Sequence, residues 1–305
     1  MTTEESFYRE AFLRNLGLLT REEQEKLKRS TVAIAGLGGV GGIFTLGFAR
    51  LGVGGFHLAD PDEFEIKNMN RQAGAMVSTQ GKPKAEVMRS MVLDINPHAR
   101  VQTFTGKEDS LDGFLQGVDI VVDALDFFII DERRKLYRAA RERGLYVVSA
   151  GPIGFGSALQ VFDPKGMSFD EYFDLNDTLS HEEMNIRFGL GIAPKLLQRA
   201  YFHVTKVNFS VQVAPSLVTG TFLAANLVTT AAIKILLQRG KLKPMPHSVH
   251  VDPYVGKHKK VYLPFGNRGP IQRLKLWYVR RLNEQNKAEY ARTQVRSEPH
   301  QAAAQ

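Results

Sequence analysis

A short β-branched run, "TVAIA" at 31–35, opens directly onto "GLGGVGG", which leads into the apolar stretch "IFTLGFARLG". A strand, a glycine turn and a helix in that order commit the chain to a βαβ opening, because the next apolar run, "GGFHLADPD", reads as a second strand closed by Pro61. Glycines at such a turn let backbone N–H groups approach phosphates at the helix N-terminus, where the helix dipole favours an anion. The turn alone suits a redox dinucleotide, ATP, or tight packing with no ligand.

The alternation continues. "REEQEKLKRS" precedes the first strand as the end of an amphipathic helical region, and "KPKAEVMRSMVLDINP", "VDIVVDAL", "DERRKLYRAARERG" and "LYVVSAG" follow as helix, strand, helix and strand. This pattern predicts an α/β fold: a doubly wound, Rossmann-like, mainly parallel sheet with helices on both faces. Residues 164–210 lose clean periodicity and are expected to be an excursion from the core. The apolar stretch 213–237 approaches the length of a membrane span, but its proline, polar positions and Lys234 predict a buried helix. Two strand-like runs, "HSVHVDPY" and "KKVYLPF", come next. The final "IQRLKLWYVRRLNEQNKAEYARTQVR" is expected to be helical and surface-bound, with the last residues disordered. Residues 1–270 are thus expected to form one domain and 271–305 a basic C-terminal helix and tail.

With 305 residues, 43% of them hydrophobic, the chain can bury a sizeable core. It contains no cysteine, which excludes disulfides, cysteine nucleophiles and thiolate metal sites. The eight histidines, His98 among them, show no ligand spacing and are expected to be structural or exposed. The opening "MTTEESFYRE" lacks the basic and apolar regions of a signal peptide, so a cytoplasmic protein is expected. Charge is uneven: from 234 to 296 there are fifteen Lys or Arg against three acids. Such a segment can meet nucleic acid or an acidic protein, or be a solvated face.

The residues after the second strand separate the nucleotide classes. Asp60 lies 24 residues after Gly36, where an acid can accept hydrogen bonds from a ribose of NAD or ATP alike. Beyond it cluster Asp62, Asn68, Asn70, Arg71 and Lys84. A nicotinamide enzyme has no evident use for that group. An ATP-splitting site does, since cations neutralise a triphosphate under attack at the α-phosphorus and a carboxylate holds magnesium.

On these residues the chain resembles the ThiF/MoeB superfamily of adenylating domains, from about Ser6 to Pro264. The resemblance implies that Gly36, Gly38, Gly39 and Gly41 cradle phosphates, that Asp60 binds the ribose and that Asp62 completes a D-x-D. It matches "NMNRQ" to the family's N-x-N-R-Q, giving Asn68, Arg71 and Gln72. Lys84 corresponds to the catalytic lysine and Asp126 in "DALD" to the metal-binding aspartate. Arg9 corresponds to the arginine that reaches the opposite subunit's ATP, with Arg14 as the other register.

The resemblance further implies ATP and Mg2+ as cofactors, a homodimer, and a ubiquitin-like or sulfur-carrier protein, or a peptide, activated as an acyl adenylate. The expected partners include tRNA through the basic C-terminal region, but no membrane. A tRNA threonylcarbamoyladenosine dehydratase-like enzyme and a non-catalytic nucleotide-binding member are the alternatives, and an NAD-dependent dehydrogenase follows them. Two departures stand out. The family's C-x-x-C pairs are absent, so no zinc of that kind and no cysteine relay are expected. Asp126 is followed by "FFII" where the family has asparagine, and the arginine expected a few residues later is Arg133 or Arg134.

Overall fold

The computed structural model describes residues 3–106, 109–202 and 215–297. The chain runs through α1 (Glu4–Ala11), α2 (Arg21–Arg29), β1 (Thr31–Ala35), α3 (Gly41–Arg50), β2 (Gly55–Ala59), α4 (Lys84–Ile95) and β3 (Arg100–Phe104). It continues through α5 (Leu111–Leu115), β4 (Ile120–Asp123), α6 (Ile130–Glu142), β5 (Val147–Ile153), β6 (Gly156–Phe162), α7 (Phe169–Phe173) and α8 (His181–Ile192). The last elements are α9 (Val218–Leu236), β7 (His247–Asp252), β8 (Lys257–Tyr262) and α10 (Pro270–Ser297).

All eight strands form one sheet in the order β3-β2-β1-β4-β5-β6-β7-β8. The first five are parallel, and β6, β7 and β8 add as an antiparallel meander. Successive side chains of β1 go to opposite faces, as the period of a strand requires. Val32 and Ile34 enter the core beneath α3, α4 and α9, while Ala33 and Ala35 enter the core shared with α6, α7 and α8. Both faces are covered, which is why Val32–Ala35 of β1 and Ile120–Val122 of β4 are apolar in succession instead of alternating.

The apolar stretch 213–237 yields α9, which by length and composition could cross a membrane. Here Ala224, Val228, Ala231 and Ala232 are buried against the sheet, and Thr229 packs so close to α3 that a Cβ on Gly47 would fall 2.9 Å from its methyl group. It is a core helix.

Residues 164–202 differ from the expectation of an irregular excursion. They fold into α7 and α8, which share a core with α6. Ser168 starts α7 with a capping box to Glu171, and Ser180 caps α8. Met184, Asn185, Ile186, Phe188 and Leu190 are all buried, so α8 is covered on more than one side and its sequence shows no polar stripe. Residues 203–210 of that segment, and the C-terminal residues expected to be disordered, lie outside the described residues. β3 and β6, "RVQTF" and "GSALQVF", are strands beyond those expected from the sequence pattern.

α10 forms where a helix was expected. It lies against α8, with Leu276 packed on Ile186 and Leu190.

Candidate active site

β1 and β4 are neighbours, but from β1 the chain passes through α3 to β2 on one side, and from β4 through α6 to β5 on the other. The loops at their carboxyl ends therefore diverge and open a crevice, the position at which doubly wound sheets bind ligands. The two loops meet at its floor. Gly36 has φ +89°, and a Cβ there would lie 2.4 Å from the Ala124 carbonyl oxygen. A Cβ on Gly41 would lie 1.8 Å from the Gly36 oxygen. Only glycine fits at these two positions.

The start of α3 carries no side-chain cap and no acid in its first turn. Among the described residues, the N–H groups of Gly38 and Gly39 make no hydrogen bond. Unpaired N–H groups at the positive end of a helix dipole constitute an anion site. Asp60 fixes this loop from below. The buried carboxylate accepts from Leu37 N at 2.7 Å and from Asp62 N at 2.9 Å.

Lys84 is the first residue of α4, preceded by Pro83. A cation at a helix N-terminus opposes the dipole, and burying it adds a desolvation cost. Two acids compensate: Lys84 Nζ lies 2.9 Å from Asp62 and 3.7 Å from Asp60. The ammonium is thus held at the edge of the glycine loop.

The "NMNRQ" segment forms a 3-10 turn at Ile66–Asn68 and then crosses over the loop. Arg71 runs along Gly39, with its aliphatic stem 3.7 Å from where a Cβ would stand. Its guanidinium donates to Asn70 Oδ1 at 2.8 Å and to Lys67 O at 3.2 Å. Gln72 is buried beside Gly38, and its Oε1 has no hydrogen-bond partner among the described residues. Asn68 and Asn70 act differently. Asn68 accepts from Glu65 N within its own turn, and Asn70 donates to Ser216 O ahead of α9. Both shape the segment that delivers Arg71 and Gln72.

Asp126 stands exposed on the turn after β4, where its Oδ1 accepts from Phe128 N at 3.0 Å. A residue missed in the sequence holds that turn. Asp123, at the end of β4 and 2% exposed, accepts from Arg133 Nε at 2.9 Å and from the Tyr137 hydroxyl at 3.0 Å. Burial, with Asp123 adjacent, pushes the Tyr137 phenol well above its ordinary range. Arg133 also donates to Leu125 O at 2.6 Å and stacks 4.5 Å over the Phe188 ring. Arg134 binds Asp170 and Asp177 instead. Both arginines are buried in ion pairs, so neither stands free at the substrate edge. The signal for Asp123 was an acid closing an apolar strand, which needs a partner once buried.

Arg9 and Arg14 lie elsewhere. The Tyr8 hydroxyl donates to Gly52 O at 2.6 Å, which anchors α1 at the end of α3 remote from the glycine loop. Arg9 is exposed and paired with Glu5 at 2.8 Å. Arg14 is exposed on the following 3-10 turn and has no ion pair among the described residues. Neither reaches the crevice of its own chain.

The residues present fit a bound nucleotide. The unpaired loop N–H groups and the orphaned Gln72 Oε1 await polar partners. No group of three or more His, Asp or Glu side chains gathers among the described residues. A cavity of about 180 Å3 lies at the opposite end of β5, lined by Tyr137, Val147, Phe162 and Phe169, and has no part in this site.

Comparison with known proteins places these features in context. Residues 12–264 match the model of the ThiF family. A tRNA threonylcarbamoyladenosine dehydratase of Bacillus subtilis is 42% identical over 118 residues, 38% of this chain and 46% of that protein. A sulfur carrier protein ThiS adenylyltransferase of Escherichia coli is 31% identical over 145 residues, 46% of this chain and 56% of that protein. The matched segment thus spans about half the length of these curated relatives. The solved structure of PaaA shares the fold with a TM-score of 0.62 at 20% identity, covering 86% of this chain and 74% of that one.

Proposed function

The chain belongs to the ThiF family, and from that premise we propose that it is an ATP-dependent adenylyltransferase that activates a carboxylate as an acyl adenylate. One observation carries this reading: Arg71, Gln72, Lys84 and the Asp126 turn all border the glycine loop at the sheet's switch point. The substrate is a carboxylate of a ubiquitin-like or sulfur-carrier protein, or of a peptide. The relative that adenylates a sulfur carrier supports this class.

In the proposed reaction a carboxylate oxygen of the substrate attacks the α-phosphorus of ATP. An O–P bond forms, the bond to the bridging oxygen breaks, and pyrophosphate leaves with that electron pair. The N–H groups of Gly38 and Gly39 bind phosphate oxygens, and Asp60 and Asp62 orient the ribose side. Arg71 and Lys84 stabilise charge as it develops at phosphorus. Asp126 would hold the magnesium ion, whose charge offsets that of the departing pyrophosphate. No side chain acts as nucleophile, consistent with a chain that has no cysteine.

We further infer a cytoplasmic homodimer. Ile66, Val77 and Phe222 are 66%, 85% and 58% exposed, and the Asn70–Ser216 hydrogen bond joins their segments beside the site. A second copy seated there would cover this patch; the family resemblance then assigns Arg9 or Arg14 of one copy to the triphosphate of the other.

Incorporation of labelled pyrophosphate into ATP, driven by carrier proteins, peptides or tRNA, tests the reading. Carboxylate-dependent exchange is the expected result, and its absence with every substrate would leave a nucleotide-binding module. The second reading, a dehydratase acting on tRNA, is favoured by the 42% identical relative and by the basic C-terminal region. Exchange driven by tRNA alone, falling steeply with salt, would select it.

A further inference from the structure

α10 carries apolar residues on two sides. Leu276 and Val279 turn inward to the cluster with Ile186 and Leu190 of α8. Ile271, Leu274, Trp277 and Tyr278 face away, at 69%, 67%, 52% and 41% exposure. Their spacing of three and four residues places them on one contiguous surface. Isolated exposed apolar residues are ordinary, but a helix apolar on both sides belongs between two partners. α8 is one, and among the described residues the other side is bare.

Charge states what kind of partner fits. Between 257 and 285 the sequence has eight Lys or Arg and one acid, Glu284. Lys275 and Arg280 are engaged with Pro194 O and Glu183. Arg273 and Arg281 remain exposed around the bare face, Arg281 stacked 5.0 Å over the Trp277 ring. A second copy would set these arginines against their own kind. An RNA would pair with the arginines but leave Ile271 and Leu274 uncovered. An acidic protein surface with an apolar centre satisfies both requirements.

A chain of contacts links α10 to the wall of the crevice. Lys275 holds Pro194 O at 2.5 Å, and Arg199 lies 5.9 Å over the Tyr278 ring, so α10 borders the segment that leaves α8. Just before that segment, Ile192 packs against Gly151 of β5. β5 extends four residues past the last pairing of β4 at Asp123↔Ser149, the strand end that precedes the Asp126 turn.

We propose that the bare face of α10 docks the folded body of the carrier protein whose C-terminal carboxylate enters the crevice, and that this body presents an apolar patch rimmed by Asp and Glu. The proposal rests on the adenylyltransferase reading. It adds where affinity for a protein substrate resides, apart from the chemistry.

Trp277 is the only tryptophan in the chain and reports on the surface directly. The probe is the Escherichia coli sulfur carrier ThiS, compared with a synthetic peptide of its C-terminal tail, which offers the same carboxylate. In the 305-residue chain, ThiS should shift Trp277 emission saturably, and salt should weaken the effect. Leu274→Glu and Arg281→Glu should each abolish the shift and raise KM for ThiS by about tenfold or more at unchanged kcat. Kinetics with the tail peptide should not change. Equal effects on ThiS and peptide, or none on either, would overturn the proposal. So would an emission shift driven by the protein's own concentration or by RNA rather than ThiS. If neither substrate supports exchange, the wider panel of carriers, peptides and tRNA decides the adenylyltransferase reading, and the titration decides docking: a saturable shift lost in both variants upholds it, and no shift refutes it.

Discussion

Lys84 Nζ lies 2.9 Å from the Asp62 carboxylate, with the lysine buried and the aspartate exposed. The pair carries a buried cation to the rim of the anion-binding loop, and Asp60 stands close behind it. Lys84→Ala should lower pyrophosphate exchange by about two to three decades, the effect of removing one donor aimed at developing charge. Circular dichroism should show the fold retained. Exchange within a factor of a few of the parent would remove Lys84 from the chemistry.

The glycines of the loop should separate into two kinds. Gly41→Ala places a methyl group 1.8 Å from the Gly36 oxygen and should destabilise the chain by about 3 kcal/mol or more. At Gly38 the nearest atom to an added Cβ is Gln72 Nε2 at 3.6 Å, so Gly38→Ala should cost less than about 1 kcal/mol. Any loss of ATP affinity in that variant then reports on crowding of the phosphates. Denaturant unfolding and nucleotide titration measure the two effects independently.

Arg133→Met should destabilise the protein by about 3–5 kcal/mol, because it strands the buried Asp123 carboxylate. The double variant Arg133→Met with Asp123→Asn should recover part of that loss, since no unpaired charge remains. Equal stability of the single and double variants in urea would show that the ion pair does not hold the Asp126 turn.

Burial, with Lys195 nearby, lowers the His250 pKa to about 4 from its ordinary 6.5. The imidazole is neutral in the folded chain at pH 5, while the unfolded chain binds the proton there. Stability therefore falls as pH drops below about 6.5 and levels off near pH 4. The loss from this one group amounts to about 2 kcal/mol at pH 5. His250→Gln should flatten the stability profile between pH 7 and 5 relative to the parent, as followed by urea unfolding. Parallel profiles would mean that His250 is protonated in place.

Subunit mixing tests the arm. If Arg9 or Arg14 serves the opposite crevice, the variant that is inactive alone should regain exchange when mixed with inactive Lys84→Ala, because one crevice of the mixed dimer then has both groups. No recovery for either arginine would confine catalysis to single chains.

Much of this organisation was readable in advance. The "TVAIA" strand, the glycine turn and the Asp60 position are local signals, set by a few consecutive residues, and each appears where expected. α8 was not legible: burial on more than one side erases the polar stripe on which helix periodicity depends. β3 and β6 were missed because a short strand carries few residues with which to announce its period. Arg133 and Arg134 looked interchangeable in sequence. Packing separates them, since one closes on Asp123 below the Asp126 turn and the other on Asp170 and Asp177.

By itself the sequence determined the chemical inventory: a glycine loop, acids and cations in family order, and no sulfur nucleophile. Only the tertiary structure decided which of these meet. It brought Gly36 against Ala124 across 88 positions of chain and joined Arg71 and Gln72 to the same loop, while leaving Arg9 and Arg14 at the far end of α3. The reason is that residue type fixes what a side chain can do, whereas strand order and crossover direction, which arise from burying both faces of one sheet, fix where it does it.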